Sequence, residues 1–95
     1  MLVRWTSLAL RHIEDIEDYI ALDSPMAAYR LIVDLVQRTD QGLAATPEMG
    51  RTGRARGTRE LVFADLPYIV VYRITDAVDI LAVVHAARKW PKSFS

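Results

Sequence analysis

Apolar positions recur along this chain with two different periods. Ala9, Ile13, Ile16 and Ile20 are spaced by three or four, Leu8 and Tyr19 flank the stripe, and Arg11, His12, Glu14, Asp15, Glu17 and Asp18 lie outside it. That is the pattern of an amphipathic helix, expected from about Ser7 to Leu22 with Thr6 and Ser7 available to cap its start. Asp23-Ser24-Pro25 ends it and opens a second helix, with Ser24 as N-cap and Pro25 at the first helical position, where a missing N–H costs nothing. The second helix is expected to bury Ala28, Ile32, Leu35, Val36 and Thr39 and to run to about Ala44 despite Gly42. So short a connection makes the two helices antiparallel neighbours. Trp5, Tyr19 and Tyr29 read as core or helix-packing residues.

After Gly57 the period falls to two. From Thr58 to Pro91, three runs rich in Val, Ile, Leu, Tyr and Phe are separated by Ala64 to Pro67 and by Thr75 to Ala77. Each is the length of a strand, which predicts a three-stranded antiparallel meander. A one-residue slip would turn the wrong set inward, so matching faces predicts the register. Tyr68 is set against Val84, Val70 against Ala82, Tyr72 against Ile80 and Ile74 against Val78, and Leu61 and Phe63 join the same apolar face. That face is expected to pack on Ile13, Ile16, Ile20, Ile32 and Leu35. The opposite face sets Arg73 by Asp79 and Glu60, Val71 by Leu81 and Ile69 by Val83, with His85 at its end. No segment is left to cover it, and an uncovered apolar patch marks a partner site. Leu2 to Trp5 alternates and is expected at a sheet edge, whereas Ala45 to Gly57 keeps no apolar period and reads as a loop. Strand, helix, helix and three strands make an α+β fold with a helical hairpin on one face of an antiparallel sheet.

Composition narrows the classes. Ninety-five residues, 52% of them hydrophobic, predict one domain over 1–95 with a single core and no compositional disorder. There is no cysteine, no leader-like start and no apolar run near the roughly 18 residues of a membrane span, so a soluble cytoplasmic protein is expected. The net charge is zero but unevenly placed: residues 1–50 carry four Arg against eight acids, and residues 51–95 carry eight Arg and Lys against four acids. Such a basic end attracts nucleic acid or acidic protein segments. Gly50 to Gly57 leads into a strand and lacks the helix N-terminus that holds a phosphate, so no nucleotide loop is read there. No Cys/His/Asp group has metal-ligand spacing, and neither metal nor cofactor is expected.

Four motifs now carry a resemblance: Pro47-Glu48-Met49-Gly50-Arg51, Gly57-Thr58-Arg59-Glu60-Leu61, Tyr68-Ile69-Val70-Val71-Tyr72-Arg73 and Val84-His85-Ala86-Ala87-Arg88-Lys89-Trp90-Pro91. In this order and spacing they resemble the ParE branch of the ParE/RelE toxin superfamily. The resemblance implies the toxin of a type II toxin–antitoxin pair, of the kind linked to plasmid stabilisation and neutralised by an antitoxin whose C-terminal segment wraps it. ParE-like members poison DNA gyrase as protein inhibitors, whereas RelE-like members cut messenger RNA on the ribosome.

The residues weigh those two activities differently. Metal-free RNA cleavage needs a base for the 2′-hydroxyl, an acid for the leaving oxygen and cations for the phosphate. His85 with Arg59 and Arg73 is the available set, but a strand histidine bonded to nearby backbone or packed on Trp90 is the commoner state. RelE-type sites also lean on lysines of the second helix, and here both lysines, Lys89 and Lys92, follow the last strand. A gyrase inhibitor requires no proton transfer and no direct nucleic-acid site. For it the expected target contacts are Arg51, Arg54, Arg88 and Trp90, and the expected antitoxin contacts are Ile69, Val71, Arg73, Leu81, Val83 and His85. A ribosome-dependent endoribonuclease and a toxin-fold binding module without activity stay open beside it.

Overall fold

The computed structural model describes residues 1–94. Its elements are β1 (Val3–Trp5), α1 (Ser7–Ala21), α2 (Pro25–Ala45), a 3₁₀ turn (Pro47–Met49), β2 (Arg51–Thr52), β3 (Arg59–Val62), β4 (Tyr68–Ile74) and β5 (Val78–His85). The strands form one sheet in the order β1-β5-β4-β3-β2. Neighbours run antiparallel except β1, which lies parallel to β5. The expected meander is therefore the centre of a wider, mixed sheet.

The helices start where their caps place them. The Thr6 hydroxyl accepts from Ala9 N at 3.2 Å and donates to the Ile80 carbonyl at 2.8 Å, so one side chain both opens α1 and anchors it to β5. Ser24 accepts from Ala27 N at 3.2 Å, with Pro25 inside the first turn. Ala9, Ile13, Leu35 and Leu43 then meet Leu61, Phe63, Tyr68, Val70, Tyr72, Val78, Ile80 and Val83 in one core, with Ile16, Ile32 and Val36 partly buried around it. Thr39 is buried and returns its hydroxyl proton to the Leu35 carbonyl at 2.7 Å. Trp5 Nε1 donates to Asp40 at 2.8 Å, which fastens β1 to α2. Tyr19 and Tyr29 do not join the core: they are 60% and 61% exposed. Tyr29 follows the fully buried Ala28, and adjacent helical residues are turned by about 100° from one another.

The register holds at one end of the β4–β5 pair and slips at the other. Ile74 pairs with Val78, Arg73 with Asp79 and Tyr72 with Ile80, as face matching predicts. The next pair is Val71 with Ala82, leaving Leu81 as the extra residue of a β-bulge. Beyond it Val70 meets Val83, Ile69 meets Val84 and Tyr68 meets His85. The consequence corrects the expected faces. Val83 packs in the helix-side core and His85 stands edge-on to Tyr68, whereas Ala82 and Val84 lie with Ile69 and Val71 on the opposite face.

That opposite face is not bare. Trp90 and Phe94, from the segment after β5, pack on Ile69, Val71, Ala82 and Val84, all of which are buried. Of the residues read as lacking a cover, Ile69 and Val71 are covered by their own chain, and Val83 lies in the helix-side core instead. The stretch read as a loop also contains structure: β2 pairs Arg51 with Glu60 and Thr52 with Arg59. Gly57, at φ 75°, turns the chain back, and the Thr58 hydroxyl donates to the Ala55 carbonyl at 2.6 Å.

Candidate functional site

The motifs of the second half of the chain converge on the β2–β3 edge. Tyr72, fully buried, reaches across β3 so that its hydroxyl donates to the Pro47 carbonyl at 2.7 Å and accepts from Gly50 N at 2.9 Å. Only glycine fits at position 50, because a Cβ there would lie 2.5 Å from that hydroxyl and 2.9 Å from the Glu60 carbonyl. Arg59, on the same side, donates to the carbonyls of Glu48 and Gly50 at 3.2 and 2.8 Å. Its guanidinium holds the 3₁₀ turn in place.

Glu60, on the other face, is 2% exposed. Arg51 donates to one carboxylate oxygen at 2.9 and 3.1 Å, and the Arg54 backbone N–H donates to the other at 2.9 Å with its guanidinium 3.4 Å away. Burial alone would push the Glu60 carboxyl up, but these donors outweigh it and hold it below the usual carboxylate range. The Arg54 guanidinium in turn lies 3.4 Å from the centre of the Trp90 ring. Glu60, Arg54 and Trp90 thus form a stack that clamps the chain after β5 onto the sheet. Trp90 Nε1 is buried and has no hydrogen-bond partner among the described residues.

The remaining candidates are dispersed. Arg73 is exposed, and its cross-strand neighbour Asp79 is bonded by Arg4 at 2.8 Å and by the Thr75 hydroxyl at 2.9 Å, while Glu60 is taken by Arg51 and Arg54. The expected pairing of Arg73 with Asp79 and Glu60 is thereby replaced, because β1 brings Arg4 directly opposite Asp79. Arg88 turns instead toward α1, 5.1 Å over the Tyr19 ring. His85 accepts from Ala87 N at 3.1 Å through Nδ1. Of the four expected target contacts, Arg51, Arg54 and Trp90 are gathered around Glu60 and Arg88 is not. Ile69, Val71, Arg73 and Leu81 share the face opposite the helices, where Leu81 and Arg73 border a hollow with Phe94. Val83 and His85 do not, since the bulge turns them to the helix side.

For acid–base chemistry the expected set also comes apart. His85 pairs across from Tyr68 and Arg59 across from Tyr72, four residues or roughly 13 Å along β4. Arg73 is on the other face. With Nδ1 already accepting a backbone N–H, the neutral imidazole carries its proton on Nε2 and has no lone pair left to act as a base.

His12 is the residue that pattern reading placed wrongly, on the solvent side of α1. Its Nδ1 accepts from Val83 N at 3.1 Å, and burial pushes its pKa down, opposed by Asp15 and aided by Arg11. Past Trp5, β1 no longer covers the outer edge of β5, and α1 takes over that role through His12. Its spacing of three from Ala9 and four from Ile16 already sets it at the border of the apolar stripe.

Comparison with known proteins agrees with this architecture. Residues 3–90 match the family described as the ParE toxin of type II toxin–antitoxin system, parDE. The chain is 48% identical over 90 residues to the Sinorhizobium fredii protein Y4kP, covering 95% of this chain and 93% of that one. It is 42% identical over 87 residues to toxin RelE2 of Caulobacter vibrioides, covering 90% and 96%. A solved structure titled "Chromosomal ParDE TA system from P. aeruginosa" superposes with a TM-score of 0.79 at 26% identity, covering 90% of this chain and 95% of that one. With the family matched over nearly its whole length, this chain belongs to the ParE toxins of type II toxin–antitoxin systems.

Proposed function

We propose that this toxin acts in the cytoplasm by binding and not by bond cleavage, as an inhibitor of DNA gyrase kept silent by a cognate antitoxin. The observation that carries the reading is the scatter of its acid–base candidates: His85, Arg59 and Arg73 occupy three separate environments, and the imidazole is already committed to Ala87. Inhibition by binding needs only a surface. The surface favoured here is the Arg51–Arg54–Trp90 group, where a guanidinium stacked on an indole offers a rigid, amphipathic contact of the type that dominates interfaces. Arg88 contributes from the other side of the β5 terminus.

The antitoxin is assigned a different surface, consistent with an amphipathic helix laid along the hairpin. Tyr19, Leu22, Met26 and Tyr29 leave apolar area exposed at its tip. From there the partner reaches Arg73 and Leu81, and gains Ile69 and Val71 where it lifts Trp90 and Phe94. Such a complex should bury more than about 1,200 Å² in total.

The test is expression without antitoxin, followed by supercoiling assays with purified gyrase and mapping of messenger ends on translating ribosomes. Loss of supercoiling that is weakened by Arg54→Ala and relieved by the antitoxin is the expected result. The Caulobacter relative carries the RelE name, so codon-specific messenger cleavage with gyrase unaffected is the outcome that would replace this reading.

A further inference from the structure

Between the middle of α1 and the chain that follows β5 lies a cavity of about 210 Å³, lined by His12, Asp15, Tyr68, His85, Arg88 and Lys89. Its polar groups are nearly all donors. His12 Nδ1 accepts from Val83 N and His85 Nδ1 accepts from Ala87 N, both at 3.1 Å, so in each neutral ring the proton is on Nε2. Two backbone amides therefore fix two imidazole tautomers, and the nitrogen left to each ring is an N–H. Tyr68 is 8% exposed and lines the cavity beside His85, the two rings edge-on with centroids 5.5 Å apart. Two cations complete the lining, one of them Arg88, which Tyr19 holds from the α1 side at 5.1 Å. Against them stands one carboxylate, the exposed Asp15.

We propose that this cavity is an oxyanion site, taking a phosphate group or a carboxylate whose oxygens accept from the two imidazoles, the Tyr68 hydroxyl and the Arg88 guanidinium. A metal ion does not suit it, because a ligating imidazole must offer a lone pair and Nδ1 of each ring is already engaged by a backbone N–H. An apolar ligand would offer these donors nothing to bond. An oxyanion supplies acceptors only, which is what the lining lacks. None of Arg51, Arg54 and Trp90 lines the site, which shares only Arg88 with the proposed target surface, and its occupancy does not depend on what the toxin inhibits.

Titration of the full chain, followed by the ring resonances of His12 and His85, tests it with inorganic phosphate, with glutarate, and with chloride at matched ionic strength. One-to-one saturation that moves both rings together is expected. Arg88→Gln should weaken it by about tenfold, the effect of losing one charged hydrogen bond. Asp15→Asn, which removes the opposing charge, should tighten it. Both residues are exposed, so neither substitution threatens the fold. Saturation by both probes supports a general oxyanion site, and saturation by one alone supports it and identifies the chemistry of the natural ligand. Ring shifts that never saturate and equal those in chloride overturn it, as does saturation indifferent to both substitutions.

Discussion

The Tyr72 hydroxyl closes two hydrogen bonds in a place where water cannot substitute, and Gly50 is the residue that lets it do so. Gly50→Ala would force the new methyl against the hydroxyl and against the Glu60 backbone, neither of which is free to move away. A loss of about 1–3 kcal/mol is expected, read from urea denaturation, with the native fold retained. Burial above all lowers the His12 pKa, so the folded state binds this proton less readily than the unfolded one. The sign follows directly: stability is full above the ordinary histidine value of about 6.5 and declines as pH falls through the lower folded value. His85, Arg88 and Lys89, facing it from β5 and the chain beyond, add no negative charge to oppose that decline, and Asp15 opposes it only in part. Urea midpoints between pH 7.5 and 5 in a phosphate-free buffer should therefore fall with pH. His12→Asn, which keeps an acceptor for Val83 N but does not titrate, should flatten the trend.

Among the elements, the segment after β5 is the one whose removal is most informative. Trp90 lies between the Arg54 guanidinium and four buried side chains of the sheet. Trp90→Ala should expose those side chains and release Arg54 from its stack, lowering stability by about 1–2 kcal/mol and raising binding of a hydrophobic dye. An unchanged dye signal would mean that Phe94 suffices as a cover. Both helices were legible in the sequence because their stripes, the Thr6 and Ser24 caps and Pro25 all point to the same boundaries. The strands were legible as well, and so was the register from Tyr72 to Ile74. The bulge was not, since Leu81 is as apolar as its neighbours and nothing in a period-two pattern marks an inserted residue. From that one residue came the misplacement of Ala82, Val83, Val84 and His85. The two-residue β2 escaped for a different reason: it is held by the buried carboxylate of Glu60, and an ion pair leaves no periodicity. Arg51 and Trp90 stand in the quoted motifs and Arg54 in the arginine-rich stretch between two of them, but their assembly around Glu60 is a tertiary fact.

Over the whole molecule, the uneven charge of the sequence is partly absorbed internally. Arg4 is paired with Asp76 and Asp79, Arg38 with Asp34 and Asp65, and Arg51 and Arg54 with Glu60. Arg73, Arg88 and Lys89 are exposed. No helix among the described residues is long and apolar enough to cross a membrane. The largest separation bridged in the sheet is that between β1 and β5, where Val3 pairs with Val78. The helical hairpin and the β3–β5 strands connect neighbours in sequence and can form early, whereas β1 gains its partner only after the chain has closed a loop spanning most of its length. Its further anchors, Met1 to the Ala44 carbonyl at 2.8 Å and Trp5 to Asp40, are also distant in sequence. β1 is then the last strand to dock and the first to leave. In stopped-flow chevrons, truncating Val3 or Trp5 should accelerate unfolding and leave the folding arm almost unmoved, whereas truncating Val70 or Ile80 should slow folding.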